Sequence, residues 1–230
     1  MAVMTGQRET LGAAGGVEAY VHHGPRLAPP EKTPRDQRVV RHRPADRCHR
    51  GSMHKTALIV IDMINTYDHK DAELLLPSAK KVVPVLTALL HHARQREVPV
   101  IYVNDNFGEW RSHHGELLDH ALAGPHADLV APLKPDENSL FVLKARHSIF
   151  YETPLTYLLH QQGIRRLVLC GQVTEQCVLY SALDAHIRHF EVVVPKDTVA
   201  HIHEDLAEAA LTMMERNMGA HVCESQDLWR

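Results

Sequence analysis

From Thr56 onward, short apolar runs alternate with stretches in which apolar residues recur every three or four positions. Ala57-Leu58-Ile59-Val60-Ile61 is an unbroken apolar run, the pattern of a strand buried on both faces. Val82, Val83, Leu86, Leu89 and Leu90 follow at helical spacing and predict an amphipathic helix. Pro99-Val100-Ile101-Tyr102-Val103 reads as a second strand and, after a long polar loop, Phe141-Val142-Leu143 as a third. A helix is predicted from near Pro154, because proline suits a first helical turn. Leu167-Val168-Leu169-Cys170 is another buried strand, ended by Gly171, and a helix is predicted to start near Cys177. Glu191-Val192-Val193-Val194 gives a further strand, closed by Pro195. A last helix runs from about Glu204 to Met218 with Gly219 as its stop, before a short strand near His221-Val222. Such alternation predicts an α/β fold, a parallel sheet covered by helices on both faces.

The first fifty or so residues break this pattern. Pro25, Pro29, Pro30, Pro34 and Pro44 lie among many arginines with almost no apolar periodicity, so the segment cannot offset the entropy of ordering it. Residues 1–52 are therefore expected to be a disordered extension and residues 53–230 the folded domain. Three origins stay open for the extension: a basic binding arm, sequence upstream of a start at Met53, or a cloning remnant ending in Gly51-Ser52-Met53.

Composition narrows the function classes. The 230 residues are 44% hydrophobic and 23% charged, ordinary for a globular protein, and the formal net charge of -3 offers no broad basic field for nucleic acid or an anionic membrane. No apolar run approaches the roughly 20 residues that span a bilayer. Nor does the N-terminus pair a basic start with a long apolar stretch, so a cytoplasmic location is expected. The 19 histidines are scattered, without metal-site spacing. Cys48, Cys170, Cys177 and Cys223 show no close pairing and read as reduced thiols, leaving a nucleophile open as a role for one of them.

In parallel sheets, ligands bind beyond the carboxyl ends of the strands. Asp62, Lys144 and the stretch Gly171 to Cys177 stand at three such ends. No G-x-G-x-x-G follows the first strand, which is followed by Asp62-Met63-Ile64-Asn65, so a nicotinamide-cofactor reading fails. Each residue alone has a bland reading: a turn-forming aspartate, a solvated lysine, a small buried cysteine. Together they make a nucleophilic site. A thiol at a helix N-terminus is expected to have a lowered pKa, a lysine beside it strengthens that effect, and a carboxylate can move the thiol proton. Cys170, inside a strand, and Cys223, near the terminus, lack this setting.

Ile61-Asp62-Met63-Ile64-Asn65, Val142-Leu143-Lys144 and Gly171-Gln172-Val173-Thr174-Glu175-Gln176-Cys177-Val178 resemble the three signature segments of isochorismatase-like hydrolases. The resemblance runs in order over about residues 56 to 222 and extends to Tyr102-Val103-Asn104-Asp105-Asn106-Phe107, His147-Ser148-Ile149-Phe150-Tyr151 and Pro195-Lys196-Asp197. It implies a three-layer, six-stranded Rossmann-like α/β fold, with Asp62 as base, Lys144 as thiolate-stabilising cation and Cys177 as nucleophile. It further implies a cis peptide bond at Val173–Thr174 and an oxyanion hole from the N–H groups of Thr174 and Cys177. Homo-oligomers, dimer or tetramer, are common in the family.

Departures are also legible. Ile64 and Thr66 stand where many members carry glutamine and an acidic residue. Nicotinamidases of the family hold a metal with an Asp-x-His element after the second strand; here Asp105-Asn106-Phe107 breaks it, and His113 and His114 read as solvated loop residues. No metal and no other cofactor is expected. Phe107, Trp110, Phe150 and Tyr151 are candidate pocket walls, with core or subunit packing as the alternative for each. The expected activity is cysteine-dependent hydrolysis of a carbon–nitrogen bond in a small-molecule amide, lactam or carbamoyl compound through an acyl-enzyme. Vinyl-ether hydrolysis and a non-catalytic binding scaffold are the alternatives.

Overall fold

The computed structural model describes residues 56–108 and 113–229. The expectations for the N-terminal extension and for Trp110 lie outside these residues. The chain runs β1 (Thr56–Ile61), α1 (Ala72–Gln95), β2 (Val100–Asp105), α2 (His114–Ala123), α3 (Ala127–Val130) and β3 (Leu140–Lys144). It continues through α4 (Leu155–Gln161), β4 (Arg166–Gln172), α5 (Leu179–Ile187), β5 (Glu191–Pro195), β6 (Val199–Ala200), α6 (Glu204–Met218) and β7 (His221–Cys223). All strand pairs are parallel, in the order β3-β2-β1-β4-β5-β7. The expected six-stranded row is present. A seventh strand, the two-residue β6, pairs with Gly171 and Gln172 at the end of β4; it is too short to leave a periodicity in the sequence.

β1 is buried along its whole length because both its edges and both its faces are covered. Leu58 and Val60 enter a core shared with α1, where Leu75, Val82, Val83, Leu86 and Leu90 line the helix face. Ala57, Ile59 and Ile61 point the other way, into a core shared with Leu155 and Leu159 of α4, Ala182 and Ala185 of α5, and Ala210 and Met214 of α6. This period-two division explains why the run has no polar positions: each fully buried aliphatic side chain contributes roughly 1.5–3 kcal/mol on either face.

Although no unbroken apolar run reaches bilayer length, α1 is long and apolar enough by length and composition to cross a membrane. Here its apolar stripe lies on the sheet, while Lys80, Lys81, Pro77 and Pro84 occupy the solvent side. Gly219 ends α6 in the left-handed region, as its position predicts. Gly171 has a sharper reason to be glycine. Its φ is +114°, and a Cβ there would sit 2.1 Å from the Ile61 carbonyl oxygen, so only glycine lets the ends of β1 and β4 close together.

Candidate active site

Asp62 leaves β1 with φ +54°, a left-handed conformation that aspartate tolerates better than most residues. The turn is held from several sides. Asn104 on β2 accepts from the Ile64 N–H and donates to the Ile64 carbonyl, both at 3.0 Å. Gln172 Nε2 donates to the Asp62 carbonyl at 2.8 Å, and Gln172 Oε1 accepts from the Tyr67 hydroxyl at 3.3 Å. The side chain is aimed as firmly: Asp62 Oδ1 accepts from the Asp105 N–H at 2.8 Å.

Lys144 ends β3 and is only 2% exposed. Its Nζ lies 2.8 Å from Asp62 Oδ2 and donates to Cys177 Sγ at 3.6 Å, so the structure brings the three expected residues into one cluster. Cys177 lies inside a turn of π-helix, Thr174–Val178, that leads into α5, rather than opening an ordinary α-helix. The turn is closed by the Gln176 and Val178 N–H groups, both donating to the Val173 carbonyl, and the Thr174 hydroxyl anchors it to the Ala200 carbonyl of β6 at 2.8 Å.

Two expectations are corrected at this turn. The non-proline cis bond is Gln172–Val173, one residue before the Val173–Thr174 position expected. The Val173 N–H, on the residue after that bond, favours the Cys177 thiolate. The thiol also departs from the lowered pKa predicted for a helix start. Burial pushes Cys177 up to about 12, and the negative charge of Asp62 adds to the rise, while Lys144 and the Val173 N–H oppose it. Asp62 is raised above its usual range by burial, against the pull of Lys144. Burial lowers the Lys144 pKa, but Asp62 and Cys177 together outweigh it and keep the ammonium charged. One buried cation thus faces two acids, and it balances one negative charge. The site holds either an Asp62 carboxylate with a thiol or a protonated Asp62 with a thiolate.

A fourth group, given no role in the sequence, stands at the thiol: His147 Nδ1 is 3.7 Å from Cys177 Sγ, with its ring against Tyr180. Asn104 and Gln172 stand in matched segments but were likewise given no role. Their polar side chains among apolar strand residues were the available signal, since buried amides need partners.

The aromatic expectations divide. Phe107 lines a cavity of about 510 Å³ beside the ends of β1 and β2, together with Ile64, Asn65, Asn106, Leu117 and His120. Phe150 does not line it: it is 4% exposed, stacked on Phe190, with the Arg188 guanidinium over its ring. Tyr151 is exposed and lies outside the cavity wall. His113 is not a loop residue but the N-cap of α2, accepting from the Gly115 N–H, and His114 is the first residue of that helix. Asp105 Oδ1 is taken by the Phe107 N–H at 2.7 Å. With Asn106 and Phe107 beside it, the donor set around Asp105 does not fit the metal of the Asp-x-His element. Among the described residues, no three His, Cys, Asp or Glu side chains converge on a metal position.

Comparison with known proteins identifies the family and the fold. The isochorismatase domain family matches residues 56–227. An uncharacterized isochorismatase family protein of Bacillus subtilis is 34% identical over 172 residues, covering 75% of this chain and 95% of its own. A maleamate amidohydrolase of Pseudomonas putida is 29% identical over 177 residues, with 74% and 83% covered. The crystal structure of N-carbamoylsarcosine amidase from Thermoplasma acidophilum superposes with a TM-score of 0.59 at 28% identity, covering 76% of this chain and 99% of that one.

Proposed function

The chain belongs to the isochorismatase family, and from that premise we propose that it uses Cys177 to cleave a carbon–nitrogen bond in a small amide, lactam or carbamoyl compound. It is a hydrolase of carbon–nitrogen bonds other than peptide bonds, akin to the maleamate amidohydrolase and the carbamoylsarcosine amidase. The observation that carries the cysteine mechanism is the position of the Lys144 ammonium, 2.8 Å from Asp62 Oδ2 and 3.6 Å from Cys177 Sγ.

The charge balance sets the order of events. Cys177 rests as a thiol and Asp62 as a carboxylate. As Sγ bonds to the substrate carbonyl carbon, its proton passes to Asp62, and Lys144 remains beside the one negative charge that the pair retains. The carbonyl oxygen becomes an oxyanion. Backbone N–H groups of the 173–177 turn receive it: Thr174 and Cys177 from the sequence reading, joined by Val173, whose N–H favours the thiolate. The tetrahedral adduct collapses, the carbon–nitrogen bond breaks, and Asp62 returns its proton to the leaving nitrogen. Water then gives a proton to Asp62 as it attacks the thioester. The thiolate leaves and takes that proton back, restoring the starting state.

The test is ammonia or amine release from a panel of amides, lactams and carbamoyl compounds, with wild type and Cys177→Ala side by side. Turnover is expected only with the thiol present. A substrate hydrolysed equally well by both proteins overturns the mechanism.

A further inference from the structure

Asn106 is 1% exposed, lines the 510 Å³ cavity, and has an amide nitrogen without a partner. Its orientation is not arbitrary. The Gly108 N–H donates to Oδ1 at 3.1 Å, and only the oxygen end of the amide accepts, so Nδ2 is the end left free. A buried donor with no acceptor is destabilising, and such a group in a folded protein calls for an explanation. The residue before it, Asp105, is bound through its N–H to Asp62 Oδ1, which fixes this segment of chain relative to the base. The rest of the wall is mixed: Ile64, Leu117, Ala121 and the exposed Phe107 stand beside polar and charged residues that include Asn65, the third residue beyond the base, and Glu116. A buried polar group placed in a pocket wall is a usual means by which a pocket orients its ligand.

We propose that Asn106 is a specificity-determining residue: its Nδ2 donates to a second acceptor oxygen on the substrate, a carbonyl or a carboxylate, away from the bond that is cleaved. The assignment rests on the carbon–nitrogen hydrolase reading and narrows it to substrates with two carbonyl-type groups. An analogue lacking the second oxygen leaves the Asn106 donor buried and unpaired in the complex, which is how hydrogen-bonding sites reject close analogues.

Three amides that differ at that oxygen test it: maleamate, with a carboxylate; maleamide, with an uncharged carbonyl; and acrylamide, with neither. The reading is the ratio of kcat/KM for each of the first two to that for acrylamide or, where turnover is undetectable, the ratio of calorimetric Kd values. Wild type is expected to favour at least one two-oxygen amide, and Asn106→Ala to reduce that ratio by about tenfold or more. Asn106→Asp keeps an acceptor for the Gly108 N–H while removing the donor, so it gives the same reading if the alanine variant fails to fold. Loss confined to maleamate identifies the acceptor as a carboxylate, and loss confined to maleamide identifies it as a neutral carbonyl. An unchanged ratio in a folded variant overturns the proposal, as does a wild type with no preference for the second oxygen in turnover or binding. Failure of the cysteine mechanism is seen separately, as turnover that survives Cys177→Ala.

Discussion

Lys144 on β3 reaches past the intervening strand β2 to place its ammonium 2.8 Å from the carboxylate of Asp62, the residue that follows β1. The pair is buried, so each partner depends on the other to balance its charge. Replacing Lys144 by Met is expected to cost about 3–5 kcal/mol of stability, because a desolvated carboxylate is left without its cation. The double variant with Asp62→Asn should recover most of that loss. Denaturant unfolding of the single and double variants measures both, and a single variant as stable as wild type contradicts the assignment.

Activity should fall on the acid side earlier than an ordinary carboxylate would dictate. Asp62 acts as the base only when ionised, and burial raises its pKa above 3.8. The acid limb of kcat/KM is therefore expected above that value, with the rate rising as pH rises through it. Asp62→Asn keeps the size of the side chain, loses the proton acceptor, and should lower kcat by about a hundredfold or more. An acid limb unchanged in that variant assigns the titration to another group.

Alkaline pH should unfold the protein gradually. Burial pushes Cys170 and Cys177 from 9.0 to about 12, and Tyr67 from 10.0 to about 12. Between those limits the unfolded chain gives up protons that the folded chain retains. The stabilisation is thus complete below about pH 9 and is lost as pH rises toward 12, by about 1.4 kcal/mol per group for each pH unit. Melting temperatures measured across this range should fall, less steeply for Cys177→Ala. Parallel curves for the two proteins argue against a raised thiol pKa.

Gly171→Ala should be among the most damaging single changes outside the cluster. The new methyl group would meet the Ile61 carbonyl oxygen at 2.1 Å, in a sheet that has no room to yield. A loss above about 3 kcal/mol, or failure to fold, is expected. Gly163→Ala is the control: φ there is +67° with nothing within 4 Å of the added carbon, so only the backbone conformation resists, at roughly 1–2 kcal/mol. Equal losses at the two positions refute the contact argument.

Much of this architecture was legible because strands buried on both faces read as unbroken apolar runs, and because parallel sheets put chemistry at their carboxyl ends. Asp62, Lys144 and Cys177 stand at three such ends. What was not legible depends on approaches made only in three dimensions. Gln172 supports Asp62 from 110 residues away. Phe150 has the composition of a pocket wall, but its ring meets Phe190 and Arg188, which sequence does not bring near it. The thiol pKa was misjudged for a related reason: the cation beside Cys177 is shared with a competing carboxylate, and burial outweighs what remains.

The strand order also has a consequence for how the chain is made. β1 lies between β2, which directly follows it apart from one helix, and β4, which begins only at Arg166. Until β4 has been synthesised, one edge of Thr56–Ile61 has no native neighbour, and its N–H and C=O groups stay open beside six residues that are all buried in the finished protein. A chain interrupted before β4 therefore presents a sticky hexapeptide to other nascent chains. The segment that leads to the base is the one most in need of shielding on the ribosome.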